Sequence, residues 1–347
     1  MKIHILYSFH KGPYGGGNQF LKALNKYFKA LNIYEENMEK ADVILFNSHH
    51  EIERVIRLKL NYQDKVFIHR IDGPLSFIRS SNPKLDFQIY QLNNLIADGT
   101  IFQSEWSRKK NFLLGLKKNK FEIVIPNACD KNIFYHQKKK TKEKIENQKI
   151  NLIATSWSSN LNKGFDLYRF LDENLDFNKY TMIFIGNSPI QFKNIVHVKP
   201  LNSYKLAEHL RNSDIFITGS KKDPCSNSLI ESLYCGLPCI ALNDGGHPEI
   251  IKNGGELFNN FEECLDKIQL VSENYEFYKN RISISTMEET ALLYCKFMEN
   301  VLNNVKNRNK HLKLIDYYRF LLKTKRSKSI ILNIFKKRIA SNNGIIK

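Results

Sequence analysis

The segment 220–249, SKKDPCSNSLIESLYCGLPCIALNDGGHPE, decides the fold. It sets two carboxylates, Asp223 and Glu231, eight positions apart, which places the second about two turns into the connection that follows the first. Ser226, Asn227 and Ser228 stand where that helix should begin. Small polar residues there leave backbone N–H groups free at the positive end of a helix dipole, and the combination is an anion site. An apolar run, PCIAL (238–242), and a turn at Gly245 and Gly246 follow, so the segment reads as one strand and helix repeat whose loops gather at a sheet edge.

Working outward, apolar runs recur at 2–8, 42–48, 65–71, 100–104, 122–126, 150–156, 181–187, 194–198 and 214–220. Segments of helical periodicity separate them. Alternation of this kind predicts βαβ units in parallel, doubly wound sheets with ligands at the carboxyl ends of the strands. The chain has 347 residues, enough for two such domains with their own cores. The expected division is a first Rossmann-like domain over 1–135, a charged linker over 136–149 and a second Rossmann-like domain over 150–285. A helix over 286–305 would pack back across the domains, and a basic tail covers 306–347.

Net charge is +18, but the tail accounts for +12 of it, with 13 Lys or Arg against the single acid Asp316. Its apolar residues Leu312, Ile315, Leu321, Leu322, Ile330, Ile331, Ile334 and Phe335 alternate with cations, which suits an anionic membrane surface and equally an exposed tail. No nucleic-acid-binding motif accompanies the charge. The six cysteines show no CxxC pair and no neighbouring histidine group, so reduced thiols and no metal are expected. Neither a signal peptide nor an apolar stretch of spanning length is present, and a cytoplasmic protein, peripheral at the membrane, is the expectation.

Several residues sit where ligands would meet such sheets. Gly15, Gly16 and Gly17 precede the first helix and permit close backbone approach, although a plain tight turn uses glycine in the same way. HRIDGP (69–74) leaves the end of a strand. There His69 would bond a sugar hydroxyl or serve as a structural histidine, and Arg70 or Asp72 would face an acceptor. Lys163, followed by Gly164 at a helix start, offers a compact cation to a diphosphate.

Together these motifs resemble the retaining glycosyltransferases of family 4, which have the GT-B fold. From spacing alone Asp223 reads as a loop residue and Glu231 as a solvated helix residue; the resemblance reverses that. It implies that Asp223 and His69 contact the donor hexose, that Glu231 holds the ribose, and that the amides of Ser226, Asn227, Ser228 and Leu229, with Gly16 and Gly17, border the diphosphate. Val198, Lys199 and Pro200 would hold the nucleobase through their backbone. Two departures stand out: the family usually has Glu at position 223, and an Arg where this chain has Ser158, with Asn160 nearby. The implied activity is metal-free transfer of a hexosyl-type sugar from a UDP- or GDP-sugar, with retention, to a glycan or lipid-linked glycan acceptor in surface polysaccharide or glycoconjugate synthesis. No cofactor beyond the nucleotide-sugar is expected. Alternatives are an inverting GT-B enzyme with Asp72 or His69 as base, a non-catalytic nucleotide-sugar or carbohydrate-binding subunit on the same fold, and another nucleotide-sugar enzyme such as an epimerase.

Overall fold

A computed structural model describes residues 1–10, 12, 15–79, 83–137, 149–305 and 312–323. Each of the ten apolar runs becomes a parallel strand in it. The first sheet and its connections run β1 (Ile3–Leu6), α1 (Gly16–Ala30), β2 (Val43–Asn47), α2 (Ile52–Asn61), β3 (Val66–Ile71), α3 (Leu75–Ile78), α4 (Lys84–Ile96), β4 (Gly99–Phe102), α5 (Glu105–Leu113) and β5 (Glu122–Val124). Strand order is β1-β2-β3-β4-β5. Tyr34, just after α1, bridges Ile3 on the other edge of β1, so the winding direction reverses at β1. Crossovers of one hand running in opposite directions must cover opposite faces. Accordingly, α1 packs on the side chains of Val43, Leu45, Val66 and Ile68, whereas α2 and α4 pack on Ile44, Phe46 and Phe67.

The second sheet runs β6 (Ile150–Ser156), α6 (Phe165–Asn174), β7 (Tyr180–Gly186), β8 (Val196–Val198), α7 (Ser203–Asn212), β9 (Ile215–Thr218), α8 (Asn227–Tyr234), β10 (Cys239–Leu242), α9 (His247–Ile251) and β11 (Gly255–Phe258). Its order, β11-β10-β9-β6-β7-β8, reverses between β6 and β9. The strand at Gly255–Phe258 was not among the apolar runs. It pairs with β10 from Cys239↔Gly255 to Leu242↔Phe258 as an outermost strand of the sheet.

Helices α10 (Phe261–Glu273) and α11 (Tyr275–Lys279) cover the second sheet, and α12 (Met287–Val305) then leaves it. Met287, Ala291, Tyr294, Met298 and Val301 of α12 lie in the core of the first domain, against α1 and β3. The opposite crossing comes earlier than expected. Cys129 and Phe134 pack with Leu229, Leu233 and Leu237 in the second core, so the chain enters the second domain ahead of the boundary at 135. Most of the linker, 138–148, lies outside the described residues.

The tail reading needs partial correction. α13 (Leu314–Lys323) docks on the first domain, with Leu312, Tyr317, Phe320 and Leu321 buried among Phe46, Ile56 and Leu92. Gln63 fixes its start by bonding both the carbonyl (2.7 Å) and the amide (2.8 Å) of Leu312. Burial of such side chains contributes about 1.5–3 kcal/mol each, so this part of the tail belongs to the domain. Ile330, Ile331, Ile334 and Phe335 lie outside the described residues. Among the described residues no helix is long and apolar enough to cross a membrane.

Candidate functional site

The sheets present their carboxyl edges to each other, and two helix N-termini meet between them. In α8 the first intrahelical bond runs from Ile230 N–H to the Ser226 carbonyl at 3.1 Å, leaving the amides of Asn227, Ser228 and Leu229 without an acceptor inside the helix. The Ser226 and Ser228 hydroxyls lie 3.1 Å apart beside them. Opposite stands Gly16 at the start of α1, so close that a Cβ there would fall 1.8 Å from Asn227 Nδ2. A side chain at position 16 would have to displace the Asn227 amide. Around Gly17 there is open space.

Lys163 ends a short 3₁₀ turn, and Gly164 beside it has φ +81°, with its Cβ position 2.4 Å from the Gly219 carbonyl oxygen. That backbone contact lays the lysine against the loop after β9. Lys163 Nζ is 2.8 Å from Asp223 Oδ2. Burial would raise the Asp223 carboxyl, but Lys163 and then His247 hold it below its ordinary value, so it stays ionised. Glu231 differs. It shares a half-buried face of α8 with Asn227, Ser228 and Tyr234, while Leu229, Ile230 and Leu233 point into the core. Its carboxyl has no hydrogen bond or ion pair among the described residues, and burial pushes it up to about 8.

Other expected residues occupy different places. Asn160 caps the turn before Lys163, accepting from Asn162 N–H at 2.9 Å, and its own amide donates to Ser158 Oγ at 3.1 Å. Its carbonyl oxygen thus shapes the loop. Val198 ends β8 and is half-buried, as is Pro200, with Lys199 exposed between them.

His69 is not a cleft residue. Along β3 side chains alternate, and His69 points with Phe67 under α4. It stacks on Phe46 with centroids 4.2 Å apart, bonds the Ser48 carbonyl through Nε2 at 2.9 Å, and meets Asn93 Nδ2 through Nδ1 at 3.2 Å. Both ring nitrogens are engaged inside the domain, and burial lowers its pKa to about 4, so its placement is that of a structural histidine. Arg70 is likewise fully buried. It lies over Phe20 and donates to Asn47, Asp72 (3.0 Å) and Asn127 (2.7 Å). Asp72, past the strand end, is the half-exposed member of HRIDGP, oriented by Arg70 and Gln103.

The sequence does not show the bonds that join the halves. Asn127 Nδ2 donates to Asn227 Oδ1 at 3.0 Å, and Asn162 Nδ2 donates to the Phe77 and Ile78 carbonyls at 3.2 and 2.9 Å. The sequence reading passed over His50, at the end of β2, whose ring meets Tyr7 edge-on at 5.0 Å. Its place beyond a strand terminus was the available signal. Among the described residues no group of three or more His, Cys, Asp or Glu side chains is placed to hold a metal ion.

This arrangement matches known proteins. Residues 175–286 match the family model for glycosyl transferases group 1. The crystal structure of Anabaena HepE in complex with UDP-glucose superposes with a TM-score of 0.64 over 89% of this chain and all of that one, at 14% identity. The fold is GT-B, and the match to the group 1 glycosyl transferase model falls within its second domain. An uncharacterized 41.2 kDa protein in the cps region of Klebsiella pneumoniae is 25% identical over 189 residues, 51% of this chain and 52% of that protein. A probable sucrose-phosphate synthase of Thermosipho melanesiensis is 28% identical over 200 residues, 51% of this chain and 47% of that protein. The GT-B chain thus spans about half the length of the curated relatives it matches.

Proposed function

We propose that this protein transfers a hexosyl-type sugar from a nucleotide-diphosphate sugar to a glycan or lipid-linked glycan acceptor, with retention of configuration and without a metal ion. The observation that carries the reading is the α8 N-terminus: three helix amides without an intrahelical acceptor, facing Gly16 of the other domain and flanked by Lys163 and Asp223. As the glycosidic bond breaks, charge develops on the departing diphosphate. Preorganised amides, the helix dipole and the Lys163 ammonium stabilise that charge where water is excluded. Glu231, with no partner among the described residues, is available to ribose hydroxyls. Asp223 lies at the hexose end, and its ion pair with Lys163 is exchanged in part for substrate contacts on binding.

UDP-sugars come first for testing, because HepE was solved with UDP-glucose. Purified protein is screened by thermal shift with UDP, GDP and their sugars, since a ligand of the native state raises the melting temperature. Absence of any shift, together with absence of donor turnover, would defeat the proposal. Loss of turnover in EDTA would defeat its metal-free part. The structure favours one rival base: Asp72, half-exposed and held in place, suits an inverting reaction better than His69. Product anomericity by NMR separates the two.

A membrane-bound acceptor fits α13, which turns Leu314, Ile315 and Leu322 outward from the first domain just ahead of residues 324–347, a stretch with seven Lys or Arg and no acid. Removing 324–347 spares the buried residues of α13. It should abolish co-sedimentation with anionic vesicles at low salt, and unchanged partitioning would sink the idea.

A further inference from the structure

Helix α5 is capped from both domains. Ser104 Oγ accepts the Ser107 amide at 3.0 Å, within the first domain. The amides of Glu105 and Trp106 instead donate to Glu249 Oε2 and Oε1 of the second domain, at 2.7 and 2.9 Å. A carboxylate spanning two N–H groups at the positive end of a helix makes charge-assisted bonds. Separation of the domains would return all three groups to water.

Glu249 sits in α9, and α9 also grips the loop that carries Asp223. Gly246 N–H, at the α9 N-cap, donates to the Asp223 carbonyl at 2.8 Å. Gly245 has φ +65°, and a Cβ on it would lie 2.3 Å from that carbonyl oxygen; one on Gly246 would lie 2.4 Å from the Pro224 oxygen. From the other side, Pro224 seats on Gly73, whose Cβ position is 3.0 Å from both Pro224 Cβ and the Trp106 ring. The Asp223–Pro224 segment is therefore held between α9 and the first domain, and Trp106 contributes to both the seat and the cap. The geometry points to Glu249 as a positioning residue that couples closure of the two domains to the placement of Asp223, by completing the α5 N-terminus only in the closed state. It acts through α9 and touches no substrate. The inference deepens the glycosyl-transfer reading and rests on it for the role of Asp223, but the latch itself is tested without turnover.

The test compares full-length wild type with Glu249→Ala, Glu249→Gln and Ser104→Ala, by hydrogen exchange over residues 104–107 and by small-angle scattering. Without ligand, Glu249→Ala should speed exchange about tenfold and enlarge the radius of gyration, with Glu249→Gln, which keeps one acceptor, in between. Ser104→Ala loosens the same helix end from inside its own domain, so it should speed exchange and leave the radius unchanged. Added UDP should slow exchange in wild type and bind Glu249→Ala about tenfold more weakly. Exchange and radius in both Glu249 variants equal to wild type would overturn the latch, as would an equal enlargement in Ser104→Ala. Failure of UDP to bind wild type would count against the nucleotide-sugar reading, while the ligand-free measurements would still decide the latch.

Discussion

The carboxyl edges of the two sheets are both rich in polar residues, yet they are in opposite states. At the first, His69, Arg70, Asn93 and Asn127 are buried and bonded to one another. At the second, the first three α8 amides and the Glu231 carboxyl have no partner among the described residues. Half-buried donors and acceptors that the fold leaves unpaired are open to another molecule. The first edge holds a shape, and the second offers its polar groups to the donor in the proposed reading.

Substitutions at the two edges should therefore fail differently. The largest effect is expected from Asp223→Ala, which should lower turnover about a thousandfold, roughly 4 kcal/mol of transition-state stabilisation, with little change in melting temperature. Glu231→Ala should instead raise the donor KM at nearly constant kcat. Small, equal effects of the two would erase their distinction. Next comes Arg70→Ala, which leaves Asn47 and Asn127 without their Arg70 donor and Asp72 with Gln103 alone, and should cost about 3 kcal/mol in urea unfolding. If it unfolds like wild type and merely loses acceptor affinity, the first edge is a binding surface after all. His69→Ala should cost about 2 kcal/mol of stability through lost stacking and two lost hydrogen bonds, leaving donor KM within about twofold. A tenfold rise in that KM would restore His69 to the cleft.

The smallest effect concerns pH. The Glu231 carboxyl titrates at about 8 in the fold and at 4.5 without it. Between those values the folded state holds a proton that the unfolded chain has lost, so the contribution of this group to stability falls as pH rises. Glu231→Gln does not titrate. Its melting temperature should gain on wild type from pH 5 to pH 8 and level off above, and a constant difference would show that the carboxyl is not raised.

Much of this was legible in the chain. Ten strands announced themselves because a strand buried on both faces is a continuous apolar run, and β11 escaped because GELF carries a glutamate in an outermost strand. The donor loop was legible because Asp223, Ser226, Asn227 and Glu231 are neighbours in sequence. His69 misled because a motif at a strand end does not reveal which way the pleat turns each side chain. The bonds of Asn127, Asn162 and Glu249 were not legible because their partners lie across the cleft, and only the meeting of two separately folded sheets decides such pairs.

The return of α12 into the first core bears on the order in which the molecule is made. Phe297 packs against Gly99, and Tyr294, Met298 and Val301 fill the space beside Phe20 and Leu24. Emerging from the ribosome, the first 130 residues would have one face of their sheet only partly covered, by α1, until about 170 more have been translated. The second domain would thus mature before the first, and a fragment ending at 285 should be digested quickly by protease while 1–323 resists.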